Sequence, residues 1–344
     1  MPSAVFAQCS VAPCLAEVTV SASGDLLALS GSLVGTEDWQ VVNVSRITGE
    51  HVVGPVTRWQ TQDGEFTVEH LAGINPSGDL LVFFWSLRAN WQVVNVSAIT
   101  GQRVLGPVTN WQTQDGPFTI EHLVGVNADG DLMLFFWSPQ ADWQAANIST
   151  ITGQKMANIS ATITGQPRPG QQAMTGQQVL GPVTNWQSQD GPFTIEHLAG
   201  VNADGDLVLF FWSPRADWQA FNISAVTGQR VVGPVTSWQV QDGPFIAENL
   251  AGVSSSGDLL VFFWSPKADW QVVNVSRITG KQVVGPVTSW VKGKIDHLAA
   301  TGLNERGVYV FWNLGFGRQP NPGWGFCDVS QTGCTRLIFA SSAR

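Results

Sequence analysis

The 16 tryptophans of this 344-residue chain occupy only three recurring positions. Trp85, Trp137, Trp212, Trp264 and Trp312 close one apolar run. Trp39, Trp91, Trp143, Trp218, Trp270 and Trp324 open the next run, and Trp59, Trp111, Trp186, Trp238 and Trp290 close a third. Polar side chains recur beside them: Arg88, Arg215 and Lys267, Asp142, Asp217 and Asp269, and the links Gln62-Asp63, Gln114-Asp115, Gln189-Asp190 and Gln241-Asp242. An indole offers a broad apolar face with a hydrogen-bond donor at its edge. Asp, Gln and Arg form paired hydrogen bonds with neighbouring hydroxyls. This is binding chemistry, in which a C–H face stacks while polar groups fix orientation. Catalysis is not expected, because no nucleophile motif is present and no copy carries its own set of acids.

The elements that must position these residues come from an internal repeat. The Trp of the ADWQ segment recurs at intervals of 52, 52, 75, 52 and 54 residues, and the unit Glu196–Ala247 continues directly into the next copy at Glu248. A fixed period of this length marks a repeat architecture. Six copies cover about 17–66, 67–118, 119–193, 194–245, 246–295 and 296–344, with an extra segment at 154–176 in the third. That segment echoes Asn147-Ile148-Ser149 at Asn158-Ile159-Ser160 and reads as a slipped duplication between strands. Within one copy, His197–Asn202, Asp206–Trp212, Trp218–Gly228 and Arg230–Trp238 are β-branched and aromatic runs bounded by Gly, Pro, Asn, Asp or Ser. Four such runs predict four strands, with Asp-Gly and Thr-Gly turns between them. The second run is apolar at both parities (Leu207 to Phe211), as expected of a strand buried on both faces by stacked sheets. The expected fold is all-β, a single-domain six-bladed β-propeller of four-stranded antiparallel blades spanning 1–344.

In an up-and-down blade the end of strand two, the start of strand three and the end of strand four share one edge. All the tryptophans are therefore expected near one face. The repeat pattern, a Gly-Asp-Leu turn, an aromatic strand end and a Trp opening the next strand, resembles the propeller lectins of the tectonin-like and fungal fucose-lectin types. The resemblance implies a multivalent carbohydrate-binding protein, with glycans or glycoconjugates held by Trp-rich pockets on one face. The residues it points to are Trp85, Arg88, Trp91, Trp111, Trp137, Asp142, Trp143, Trp186, Trp212, Arg215, Asp217, Trp218, Trp238, Trp264, Lys267, Asp269 and Trp270. Fucose lectins place sugars between blades with Arg, Glu and Trp. Here Arg88 and Arg215 recur, but Gln140 and Lys267 occupy that position in the other complete copies. The alternative is a protein partner, or a second copy of the chain, docking on the same aromatic face.

Composition narrows the partners further. The net charge is −9 with 12% charged residues, and no basic patch is present for nucleic acid. No apolar run approaches the roughly 20 residues of a membrane span. No cofactor motif is present. Glu69-His70, Glu121-His122, Glu196-His197 and Asp296-His297 are read as pairs at the start of the innermost strand, forming hydrogen bonds rather than metal ligands. The Asn127–Asp131 and Asn202–Asp206 turns are read as hairpins rather than calcium loops, since only Gly-Asp persists across copies. The Asn-x-Ser sites at Asn43, Asn95, Asn147, Asn222 and Asn274 are read as strand residues rather than glycan acceptors. Cys9, Cys14, Cys327 and Cys334 allow three pairings, and disulfides near the ends would imply an oxidising compartment. Together with small residues around Val5-Phe6-Ala7, they lead to the expectation of a secreted, disulfide-bearing protein.

Overall fold

The computed structural model describes residues 14–31, 40–64, 66–86, 88–153, 183–202, 204–242, 245–265, 268–292, 295–303, 307–313 and 323–329. Trp39, Lys267, Cys9, Cys334 and the 154–176 segment lie outside them. Six antiparallel sheets follow one another along the chain. Sheet 1 has three strands among the described residues: β1 (Cys14–Val20), β2 (Leu26–Gly31) and β3 (Gln40–Asn43). Sheet 2 is β4 (Val53–Asp63), β5 (Phe66–Ile74), β6 (Leu80–Ser86) and β7 (Ala89–Asn95). Sheet 3 is β8 (Leu105–Asp115), β9 (Phe118–Val126), β10 (Leu132–Ser138) and β11 (Ala141–Asn147). Sheet 4 is β12 (Thr184–Asp190), β13 (Phe193–Val201), β14 (Leu207–Ser213) and β15 (Ala216–Asn222). Sheet 5 is β16 (Val232–Asp242), β17 (Phe245–Val253), β18 (Leu259–Ser265) and β19 (Ala268–Asn274). Sheet 6 is β20 (Val283–Lys292), β21 (Ile295–Gly302), β22 (Val308–Asn313) and β23 (Trp324–Asp328). The fold class is the six-bladed β-propeller.

The phase of the repeat differs from the sequence reading. The run ending in Trp, expected to close each sheet, instead opens the following one: β4 pairs with β5, with Trp59 opposite His70. The Glu-His pairs accordingly lie on the second strand of their sheets and not on the innermost. The first strands are where neighbouring sheets converge. In the compact unit Met1–Asn147, Gln112 Nε2 on β8 donates to the Gln60 carbonyl on β4 at 2.9 Å, and Thr57 on β4 bonds Asn110 on β8. In the unit Ile148–Arg344, Gln239 Nε2 donates to the Gln187 carbonyl at 2.9 Å, and the Thr236 and Ser289 hydroxyls pair at 2.9 Å.

A second correction concerns the Thr-Gly pairs, which end short helices rather than hairpins. α1 (Val44–Thr48), α2 (Val96–Thr100), α3 (Ile148–Thr152), α4 (Ile223–Thr227) and α5 (Val275–Thr279) each follow the last strand of a sheet. The sequon residues build these turns. Asn95 Oδ1 accepts the Ala98 N–H at 2.8 Å as the N-cap, while its Nδ2 donates to Asp79 Oδ2 at 3.3 Å. Ser97 is buried, and its Oγ accepts the Leu80 N–H at 2.8 Å, which ties the helix to β6. Gly101 closes the helix at φ 72°, a left-handed value suited to glycine.

Sheet faces pack on one another through apolar layers. Trp59, Ala72 and Val82 of sheet 2 meet Leu123, Met133, Phe135 and Trp143 of sheet 3. Ala199, Leu209 and Ile223 of the fourth repeat meet Leu250, Leu260, Phe262 and Trp270 of sheet 5. The first four residues of β6, β10, β14 and β18 are buried at both parities, as the continuous apolar run requires. No helix among the described residues is long and apolar enough to cross a membrane.

Candidate functional site

Strand register gathers the tryptophans. Trp59 stands opposite His70, which stands opposite Phe84, and Trp85 stands one row on, opposite Glu69. A bulge between Phe84 and Ser86 then brings Trp91 alongside, with the Trp85 and Trp91 ring centroids 6.5 Å apart. The pairing repeats in Trp111–His122 with Trp137–Glu121, and in Trp186–His197 with Trp212–Glu196. All three Trp positions of a sheet thus fall within adjacent rows at one end. The other end carries the Gly-Asp hairpins and also the helices.

Burial separates the three positions. The strand-opening Trp91, Trp143, Trp218 and Trp270 are only 7–8% exposed, and Trp91, Trp143 and Trp270 belong to the layers between sheets. Trp111 and Trp238 on the first strands are equally buried. The strand-ending Trp85, Trp137, Trp212 and Trp264 are half-buried, with part of the ring facing solvent.

Two cavities of the same construction lie between neighbouring sheets, one in each compact unit. The first, 670 Å³, is walled on one side by His70, Val82, Phe84 and Val94 of sheet 2, with Thr61, Gln62 and Asp63 at its mouth. Its other side is Glu121, Trp137, Asp142 and Trp143 of sheet 3. The second, 580 Å³, repeats this with His197, Leu209, Phe211 and Phe221, mouth residues Ser188, Gln189 and Asp190, and Glu248, Trp264, Asp269 and Trp270 opposite. Each matched residue occupies the same repeat position in the two cavities.

The floor of each cavity is a layered polar cluster. The His70 ring stacks on Trp59 with centroids 5.1 Å apart, and His197 stacks on Trp186 at 5.0 Å. His70 Nε2 lies 2.8 Å from the Thr61 hydroxyl, and His197 Nε2 2.8 Å from that of Ser188. The neighbouring sheet supplies an acid: Glu121 Oε2 is 3.7 Å from His70 Nδ1 and accepts the Trp59 indole N–H at 3.1 Å. Glu248 approaches His197 at 3.6 Å. Burial holds His70, His122 and His197 down at about 4, so they are neutral at physiological pH. Burial also raises Glu121 to about 7, against the opposing indole hydrogen bond, and raises Glu248. The His–carboxylate contacts therefore join neighbouring sheets.

The expected site residues divide accordingly. Trp137, Asp142, Trp143, Trp264, Asp269 and Trp270 line the two cavities. Asp142, Asp217 and Asp269 each accept the backbone N–H of the following Trp at 2.8 Å, which fixes their carboxylates beside the indole. Arg88 is exposed, with its guanidinium 3.9 Å above the Phe66 ring, and Arg215 lies 4.4 Å above Phe193 and 3.9 Å from the Asp190 carboxylate. Trp85 and Trp91 pack together against the sheet 1 layer. Trp212, Asp217 and Trp218 keep the repeat geometry in sheet 4. Trp111 stacks on His122 at 4.9 Å, Trp186 backs the second cavity through His197, and Trp238 lies in the layer between sheets 5 and 6. Sequence reasoning missed His70, His197, Glu121, Glu248, Phe84 and Phe211 as wall residues. Their signal was present, since His and Phe share one parity in the pairing. Among the described residues no group of three or more His, Cys, Asp or Glu could hold a metal ion. The Asn127 turn closes on itself, Asn127 Oδ1 accepting the Asp129 and Asp131 N–H groups at 2.9 and 2.8 Å.

No protein-family model matches the chain, and no curated protein matches it. Among solved structures it is similar to AofleA from Arthrobotrys oligospora, at 12% identity over 91% of this chain and 82% of that one, with a TM-score of 0.48. It is similar to the Aleuria aurantia lectin, described as a six-bladed β-propeller with a novel fucose recognition mode, at 9% identity over 90% and 88% and a TM-score of 0.45. The SapL1 lectin, solved with α-methyl fucoside, is similar at 12% identity over 90% and 94%, with a TM-score of 0.45. Identities this low express a likeness of blade architecture to β-propeller lectins, and they assign no ligand to this chain.

Proposed function

We propose that the chain is a non-catalytic, multivalent carbohydrate-binding protein whose ligands enter the Trp-lined cavities between neighbouring sheets. One observation carries the reading: the same cavity is built twice, in separate units, from equivalent residues. Each cavity opposes an aromatic and aliphatic wall to a rim of Asp and Gln. A sugar ring needs that combination, because its C–H face stacks on an indole while its hydroxyls pair with carboxylate and amide. The volumes, 580 and 670 Å³, fall within the roughly 300–1,000 Å³ typical of ligand sites. In this reading the half-buried Trp137 and Trp264 are the stacking platforms. Trp143 and Trp270 hold the wall, and Asp142 and Asp269 orient the hydroxyls.

Repetition extends the proposal to the other copies. Trp85, Arg88 and Trp91 would form one further site, and Trp212, Arg215, Asp217 and Trp218 another. Lys267, outside the described residues, is the sequence counterpart of Arg88 and Arg215 and would supply the equivalent donor, while Trp111, Trp186 and Trp238 support the pockets from the first strands. Several weak sites on one rigid body gain avidity for a multivalent glycan without any new contact. A secreted protein would meet such glycoconjugates outside the cell.

The test is a glycan array followed by calorimetric titration of a hit. The double variant Trp264→Ala/Asp269→Ala is expected to lower stoichiometry by about one site per chain while far-UV circular dichroism is unchanged. Unchanged stoichiometry would clear these two residues. A blank array, with a protein captured at a single tight site, would instead favour the aromatic face as a protein-docking surface.

A further inference from the structure

The two cavities share a plan but not a charge. The cavity between sheets 2 and 3 is lined by three carboxyl groups, Asp63, Glu121 and Asp142, and by no described Lys or Arg. Asp115, which pairs with the lining residue Phe118, adds to the same sign. Of the arginines of sheet 2, Arg58 is bound to Glu69 at 3.1 Å, and the exposed Arg88 rests 3.9 Å above the Phe66 ring. His70 is held neutral by burial and brings no opposing charge. The sister cavity is lined by Asp190, Glu248 and Asp269, but there Arg215 lies 3.9 Å from the Asp190 carboxylate. Its second loop also carries Lys267, outside the described residues, where the first cavity has Gln140.

Glu121 is the buried acid of the first cavity, 4% exposed. Its Oε2 accepts the Trp59 indole N–H at 3.1 Å and lies 3.7 Å from His70 Nδ1. Its Oε1 accepts from no described residue and is not sealed into the floor, so its acceptor capacity is left to whatever enters. Asp142 Oδ1 takes the Trp143 N–H at 2.8 Å, and its Oδ2 has no described partner. Around these acids stand Phe84, Phe118, Trp137 and Trp143. Aromatic faces attract a cation, and an ionised acceptor bonds a charged N–H more strongly than a neutral hydroxyl. A hydroxyl would fill the acceptors of this cavity but leave their charge unbalanced.

We propose that the cavity between sheets 2 and 3 selects a sugar carrying a protonated primary amine over its N-acetylated and uncharged counterparts, with the ammonium set against Glu121 Oε1 and Asp142 and the C–H face of the ring on Trp137. This selectivity rests on the carbohydrate reading and deepens it for one cavity. The sister cavity, with Arg215 and Lys267 beside its acids, does not share it.

The experiment is calorimetric titration of the full chain at neutral pH and constant ionic strength. The probes are a glucosamine trisaccharide, the N-acetylglucosamine trisaccharide, the glucose trisaccharide of the same linkage, and cadaverine as an amine without a sugar. The glucosamine trisaccharide is expected to bind about tenfold or more tighter than the other three, at one site per chain. The variant Gln140→Lys/Asp142→Asn copies Lys267 and Asn90, residues with which sister repeats fold, and Asn90 Oδ1 accepts the Trp91 N–H at 2.8 Å as Asp142 accepts that of Trp143. It should erase the preference while leaving circular dichroism unchanged. Equal affinity for the uncharged trisaccharides, a preference retained in the folded variant, or cadaverine as tight as the amino sugar would each overturn the selectivity and leave the carbohydrate reading standing. A glycan array blank for every sugar class would overturn both.

Discussion

Glu121 gives the sharpest test of the cluster between sheets. It is 4% exposed, faces the neutral imidazole of His70 and accepts one indole hydrogen bond. Its carboxyl titrates near 4.5 when unfolded and at about 7 when folded. A folded value above the unfolded one means that the native state binds the proton more tightly. The stabilisation is therefore complete below about pH 4.5 and is lost as pH rises through about 7. At about 1.4 kcal/mol per pH unit, the full loss is about 3 kcal/mol. Glu121→Gln keeps an acceptor for the Trp59 N–H and has no charge to desolvate. The variant should match the parent near pH 4 and exceed it by about 3 kcal/mol at pH 8, with the gap opening between about pH 4.5 and 7. Urea unfolding followed by Trp fluorescence at the two pH values reads this directly. A variant less stable than the parent at pH 8, or a difference independent of pH, would refute the assignment of Glu121 as a carboxyl ionised at a cost.

The histidines carry the opposite sign. His197 titrates at about 4 folded against 6.5 unfolded, so its contribution is lost as pH falls from 6.5 through 4. His197→Asn, copying the Asn249 of the next sheet, should shift acid unfolding to lower pH; an unchanged midpoint in an acid titration would argue that His197 is not buried neutral. Ser97→Ala removes the acceptor for the buried Leu80 N–H and should cost about 1–3 kcal/mol. Thermal unfolding that matches the parent would show the helix tie to be dispensable.

Much of the fold was legible because its signals are local and repeated. The 52-residue interval between Trp91 and Trp143, the doubly apolar run at Leu207–Phe211 and the Gly-Asp turns specify stacked, four-stranded antiparallel units without any long-range information. The α2 residues Val96–Thr100 escaped notice because five residues are too few for helical periodicity to show. Their sequence, Asn-Val-Ser-Ala-Ile-Thr-Gly, is in hindsight an N-cap and a glycine C-cap around one turn. The cavity was half legible. Trp137, Asp142 and Trp143 announced one wall through composition and spacing, but the facing His70 and Phe84 lie more than fifty residues away.

By itself the sequence determined the period, the strand content and the rows on which Trp59, Trp85 and Trp91 stand, since alternation and turn chemistry pin a strand's register. Only the tertiary structure decided the phase. A period is the same wherever the count begins, so whether β4 closes one sheet or opens the next depends on which strand it pairs with, and that pairing is long-range. Burial was decided at the same level. The half-buried Trp137 and the buried Trp143 are chemically identical, and the packing of sheet 3 against sheet 2 alone sets them apart. The proximity of Glu121 to His70 has the same origin, because it exists only where two sheets meet.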